Sequence, residues 1–520
     1  VAQTQAVLAR ELSGGSDEAA RLFRQSVNLT RDIERARVEI SRLSAAAQPS
    51  AADAVRLAEL RPQLATMERD QAATQSKLAA FPRYRVLSGG AMSLTELQKV
   101  LREGEAYYKM TMAGDEGYAI FATRHSARGY RIGARAAELE QQVDALRATI
   151  AKVENGQLVT YPFDVQLAHK LYGQLFQPVE AELAAVRHLI FEPDGAMLRL
   201  PPNLLVTDHA GVQAYLAKAN RPTDDGFDFT DIAWLGAGRD VSTAVSARSF
   251  RDVRNVAPSA ARNDYIGFGE NAPPAGVVRT AGGVRGLSDA GAGCSWSLNA
   301  WGSPISSAEL VTASRTLGGG ADTQIVTGQA FTDTAIKERD DLSQYRIMHF
   351  ATHGLVTAPR PECPARPALM TSFGEQGSDG LLTFAEIFDL KLDADLVILS
   401  ACDTAGKASV AATREAGLTT GGDFALDGLV RAFVGAGGRS VIASHWPVPD
   451  DYDATNRLIS GLFTARPGTS TATAMRNAQS ALMRQRETSH PYYWSGFAII
   501  GDGAAPVIPA AEGSRQALSR

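Results

Sequence analysis

From about residue 187 onward the chain repeats one alternation: a short, almost wholly apolar run, then a stretch with helical spacing. The runs are HLIFEP, DYIGFG, TQIVTG, YRIMHF, DLVILS and RSVIASHW; SAELVTASRTLGG and FALDGLVRAFVGAGG are among the helical stretches between them. A strand apolar on both faces has to be buried on both, and a parallel sheet with helices over each face does this. The expected fold class is therefore α/β, a mostly parallel sheet with helices on both faces. In such a sheet chemistry gathers just beyond the carboxyl ends of the strands.

The chain before this region has a different character. Leu22, Leu29, Ile33, Ala36, Ile40 and Leu43 recur at three- and four-residue steps, and so do Leu57, Leu60, Leu64 and Met67, followed by Leu78 and Phe81. Each set marks one face of an amphipathic helix. The short AAAQPSA link between them predicts an antiparallel helical hairpin. AYYKMTM, YAIFATR and ARGYRIG then read as short strands joined by turns, with helices expected at about 134–152 and 163–186. The expected division is 1–84 helical hairpin, 85–186 β-rich and helical, 187–503 α/β and 504–520 tail, with a longer helical-repeat array upstream compatible with the first part. VAQTQAVLAR has neither an initiator Met nor a signal-like apolar core, so it reads as a cut or processed end.

Composition excludes some classes. A net charge of −5 over 520 residues lacks the concentrated basic face a nucleic-acid carrier needs, and no apolar run reaches the roughly 18–20 residues needed to cross a bilayer. Cys294, Cys363 and Cys402 show no CxxC or Cys/His spacing of a zinc site, and neither a metal nor a cofactor is expected. Cys294 and Cys363 sit in Gly/Pro-flanked loops. Their pairing would place the protein in an oxidising, exported compartment; free thiols would favour the cytoplasm.

Two strand ends carry reactive groups. YRIMHF runs into ATHG, with His353 followed by Gly354, and DLVILS runs into ACDTAG, with Cys402 placed 49 positions after His353. A thiol needs a proton acceptor or a cationic neighbour to act as a nucleophile near neutral pH, and an imidazole supplies one. The backbone N–H groups of Gly354 and Cys402 are candidate oxyanion donors. His353 is expected at an exposed strand end, whereas His349, four residues earlier on the same face, is expected to be buried and hydrogen-bonded. A zinc pair of these histidines lacks the acid of HExxH, since Phe350, Ala351 and Thr352 intervene. AGKAS is not a P-loop, and no GxSxG elbow is present.

HFATHG, LVILSACDTAG, GLVRAFVGAGGRSVIASHWPVPDD and HPYYWSGFAIIGDG, in this order, resemble a CHAT domain, a family of caspase-like cysteine peptidases akin to caspases, separases and gingipains. The resemblance spans about residues 85–503 and is strongest from 345 onward. It implies a caspase–haemoglobinase α/β fold, a His353–Cys402 dyad, protein or peptide substrates, and an upstream helical or TPR regulatory region. One departure is His445, where the family usually has an apolar residue. The strand ending in RSVIASHW resembles the one that aligns an extended peptide, making Ser444 and Trp446 candidate subsite residues. Asp403, Asp450 and Asp451 are candidate acids for a basic P1 side chain, or else caps of the helices beside them. Residues 404–422 read as a loop beside Cys402, with Lys407 or Arg414 as candidate sites of self-processing, or else as an uncut surface loop. An inactive binding scaffold on the same fold is the competing reading.

Overall fold

The computed structural model describes residues 22, 25, 29, 33, 36, 40, 43, 51–78, 92–154, 157–219, 221, 226–274, 296, 298–320, 322–355, 368–374, 378–402, 425–446, 449 and 451–509. Every run expected as a strand forms one. The first strands are β1 (Glu105–Ala113), β2 (Glu116–Thr123), β3 (Ala127–Arg135), β4 (Lys152–Glu154), β5 (Gln157–Val159), β6 (His188–Glu192) and β7 (Asp240–Thr243). Then follow β8 (Asn263–Asn271), β9 (Thr323–Gly328), β10 (Tyr345–Leu355) and β11 (Ala368–Met370). The last are β12 (Leu381–Thr383), β13 (Leu396–Cys402), β14 (Ser440–Ser444) and β15 (Phe497–Ile500).

Among the described residues, those up to 78 belong to one compact unit and those from 92 onward to another. In the first, Leu22, Leu29, Ile33, Ala36, Ile40 and Leu43 are all helical, and Ile33, Ala36 and Leu43 are buried, as their spacing requires. A second helix, Ala51–Leu78, buries Leu60. Phe81 lies outside the described residues.

In the second unit one sheet runs in the order β9, β8, β10, β13, β14, β15, β7, β6, β1, β2, β3. The first five strands are mutually parallel; β15 runs against β14 and opens a second parallel group with β7, β6 and β1. The meander β1–β2–β3 thus continues the large sheet. β11 and β12 attach antiparallel to the end of β10, at Gly354 and Leu355.

Both faces of β10 are covered, which explains its unbroken apolar run. Phe350 meets Phe433 of the helix Ala425–Ala436 at a ring-centroid distance of 5.2 Å. On the opposite face His349 meets Tyr265 and Glu309, the latter in the helix Ala308–Thr316. Two glycines permit close approaches here. A Cβ on Gly269 would lie 2.4 Å from the Ala351 carbonyl oxygen, so β8 and β10 can approach as they do only with glycine there. Gly437, at φ +120°, ends the helix Ala425–Ala436 against the Leu392 carbonyl, where a Cβ would sit 2.1 Å away.

Candidate active site

The parallel pairing of β10 with β13 runs in register from Ile347↔Leu396 to His353↔Cys402. The two residues therefore occupy partnered positions at the carboxyl ends of neighbouring central strands, which lie about 4.8 Å apart. Ser444, at the end of β14, donates its hydroxyl to the Ala401 carbonyl at 2.7 Å, fastening that strand to the residue before Cys402.

His353 Nε2 lies 2.7 Å from the Ser303 carbonyl oxygen. A carbonyl only accepts, so Nε2 carries a proton, and whenever the ring is neutral Nδ1 is the basic nitrogen. The ring is buried, at 2% exposure, rather than standing at an exposed strand end. The reason is that β10 continues to Leu355 and pairs with β11, while Thr352 Oγ1 bonds the Met370 carbonyl at 2.6 Å. Ala300, Trp301, Leu355 and Met370 close over this corner as a small apolar cluster. Gly354 is in register with Leu369 of β11.

His349 is architectural, as its place inside the strand implied. It is fully buried, with Nδ1 2.9 Å from Tyr265 Oη and Nε2 3.8 Å from Glu309 Oε1. Burial pushes its pKa down to about 3, so the ring is neutral. His445 is also buried and is pushed to about 3, by burial first and the Arg147 charge second. Arg147 Nη1 donates to the His445 carbonyl at 3.1 Å and to the Arg199 carbonyl at 2.7 Å. A neutral ring can occupy a place where the family usually has an apolar side chain.

Among the described candidate pocket residues, Ser444 and Trp446 are buried and do not form an open wall. Trp446 is buried at 2% exposure, with Nε1 donating to the Tyr492 carbonyl at 3.2 Å and the ring packed on Gly496; Ser444 is buried as well. Both side chains pack into the core at the end of β14. Asp451 is exposed beside Tyr493, whose pKa burial, Asp451 and Tyr452 together raise to about 12. It does not cap the helix Ala454–Phe463: Asp453 holds that position at φ +53°, without a side-chain cap bond. Asp403, Asp450, Cys294, Cys363 and residues 404–422 lie outside the described residues, as does the Cys402 side chain. Ser303, Trp301, Glu270, Asn271 and Glu309 are neighbours that sequence reading missed. Their only signal was the loop punctuation of GSP, since contacts across tens of residues leave no local pattern.

The buried histidines predict acid lability. His349 and His445 sit near 3, and His490, lowered by burial despite its bond to the Tyr161 carbonyl, sits near 4. An unfolded histidine titrates near 6.5, so this stability is present above about pH 6.5 and drains away as pH falls toward 4. Each group should lose on the order of 2 kcal/mol by pH 5. Thermal melts at pH 7 and pH 5 should show a lower midpoint at pH 5, and His445→Leu should shrink the difference by about a third, its share of three comparable groups. An unchanged midpoint would refute the assignment of neutral buried rings.

His353 and Cys402 thus stand in register at the carboxyl ends of two parallel strands of an α/β fold. The CHAT domain sequence pattern matches residues 165–502, and the chain belongs to the CHAT-domain family. It is 29% identical over 204 residues to tetratricopeptide repeat protein 28 of Mus musculus and 30% identical over 201 residues to that of Homo sapiens. Each match covers 32% of this chain and 8% of the relative, so the chain spans a small part of those proteins. Among solved structures, the complex of Porphyromonas gingivalis RgpB pro- and mature domains is similar at 11% identity and a TM-score of 0.35, covering 71% of this chain and 77% of that one.

Proposed function

We propose that the chain is a caspase-like cysteine endopeptidase that cuts peptide bonds in protein substrates with Cys402 as nucleophile and His353 as its proton partner. The observation that supports this most is the direct register of His353 with Cys402. Residues in register share one face of a sheet, so the backbone alone makes a dyad feasible. In the reaction the thiol proton passes to His353 Nδ1 as sulfur attacks the scissile carbonyl. The same proton then goes to the leaving amine as the C–N bond breaks, and water hydrolyses the thioester. The N–H groups of Gly354 and Cys402 are the proposed oxyanion donors. Asp403, Asp450 and Asp451 are the proposed acids for a basic side chain.

A second reading, a catalytically silent binding scaffold, is favoured by the burial of His353. The tetratricopeptide-repeat names of the curated relatives fit control by a helical-repeat region or a regulatory protein in either case. Cleavage of a peptide library, with and without candidate partners, separates the two. The endopeptidase reading expects cleavage by the wild-type chain that disappears in His353→Ala; a library left intact under every condition supports the scaffold.

A further inference from the structure

The end of β8 carries an irregularity that the reaction scheme leaves unused. The register with β9 shifts between Gly269 and Asn271, and Glu270 adopts φ +47°, a region that residues with side chains avoid. In a regular strand neighbouring side chains point to opposite faces. Here two successive side chains grip the same segment. Glu270 Oε2 accepts from the Ser307 N–H at 3.2 Å and from Ser307 Oγ at 2.5 Å, and Asn271 Nδ2 donates to the Trp301 carbonyl at 3.2 Å. Trp301 is held from its other side by Nε1 donating to the Thr371 carbonyl at 2.8 Å. Between these two anchors lies Ser303, whose carbonyl meets His353 Nε2, and Pro304 biases Ser303 toward an extended backbone.

We propose that the β8 bulge sets the orientation of the His353 ring, with Glu270 and Asn271 as positioning residues that act through the Ser303 carbonyl. The proposal rests on the reading of His353 as the proton partner of Cys402. Held in this way, the carbonyl keeps the proton on Nε2, leaves Nδ1 to take the thiol proton, and accepts a bond from the imidazolium that results. Strain at Glu270 is what turns both side chains toward one segment.

The test uses the full chain labelled with ¹⁵N-histidine, with His353→Ala to assign the resonance. Wild type should show the Nε2–H tautomer at His353. Glu270→Gly, which suits the positive φ and so preserves the fold, should give a mixture of tautomers, and so should Asn271→Ala. On a cleaved peptide both should lower kcat by about 10- to 100-fold with KM nearly unchanged, the loss expected for a misplaced catalytic group. Glu270→Gln, which keeps an acceptor, should recover most of the rate. A merely structural role would lower the melting midpoint without moving the tautomer. An Nδ1–H tautomer in wild type, or an unchanged tautomer in both variants, overturns the proposal. If wild type cleaves no peptide, the endopeptidase reading falls and the tautomer comparison still decides the role of the bulge.

Discussion

Cys402→Ala should reduce kcat/KM on the best peptide by about four orders of magnitude or more, the scale seen when a covalent nucleophile is removed. Alanine deletes only the sulfur, and Ala401 beside it is already buried in β13, so the sheet should fold and bind substrate as before. His353→Ala should lose nearly as much. The double variant should lose little beyond the Cys402→Ala value, because the two groups act as one unit and their effects are not additive. Steady-state rates on one peptide for the four proteins, with binding measured separately, give the result. Wild-type rates in Cys402→Ala would remove the endopeptidase reading, whatever the behaviour of His353.

The largest expected effect on stability lies at the amino end of β1. Arg254, only 5% exposed at its side chain, donates to both oxygens of Glu105 at 2.6 and 2.9 Å and to Asp502 at 2.6 Å, and it also bonds the Val100 carbonyl at 2.9 Å. Its guanidinium lies 4.3 Å from the Phe250 ring centroid. Arg254→Met fills similar space, takes the guanidinium from buried Glu105 and leaves Asp502 only Arg102, 3.7 Å away, which should cost about 3–5 kcal/mol. Adding Glu105→Gln and Asp502→Asn should return much of that loss, since a neutral cluster needs no cation. Burial alone would raise the Glu105 pKa, but bonds from His188, Arg254 and the Arg102 backbone, with the Arg254 charge, bring it down to about 2. Its contribution is therefore present above about pH 4.5 and lost as pH falls toward 2, on the order of 3 kcal/mol in all. Urea unfolding at pH 7 and pH 3 should show this acid loss in wild type and much less of it in Arg254→Met. An Arg254→Met protein as stable as wild type would contradict the cluster's role.

How much of this was legible in the chain depends on how local the cause is. HLIFEP, DYIGFG, YRIMHF and DLVILS were readable as strands because burial on both faces leaves an unbroken apolar run. The positions of His353 and Cys402 followed, because each ends such a run. The extension of β10 to Leu355 was not readable, since it depends on pairing with Ala368–Met370 farther along the chain. The surroundings of Trp446 were not readable either: an indole at a strand end suits a substrate wall or a core equally, and its packing on Gly496 and its bond to the Tyr492 carbonyl come from distant parts of the chain. The bulge at Glu270 has no signature in GFGEN, because the partners that its side chains grip lie far along the chain, Ser307 37 residues from Glu270 and Trp301 30 residues from Asn271.

The reversal of direction between β14 and β15 bears on how the protein is made. β15 sits between β14 and β7, yet it is synthesised after every other described strand. While the chain is emerging from the ribosome, the strands before β8 and those from β8 to β14 can each begin to fold, but the piece that joins them has not been translated. Until Phe497–Ile500 appears, β14, whose end is fastened to Ala401, lacks one neighbour and presents a bare edge to solvent. The sheet that carries His353 and Cys402 is therefore closed into one continuous piece only at this late step.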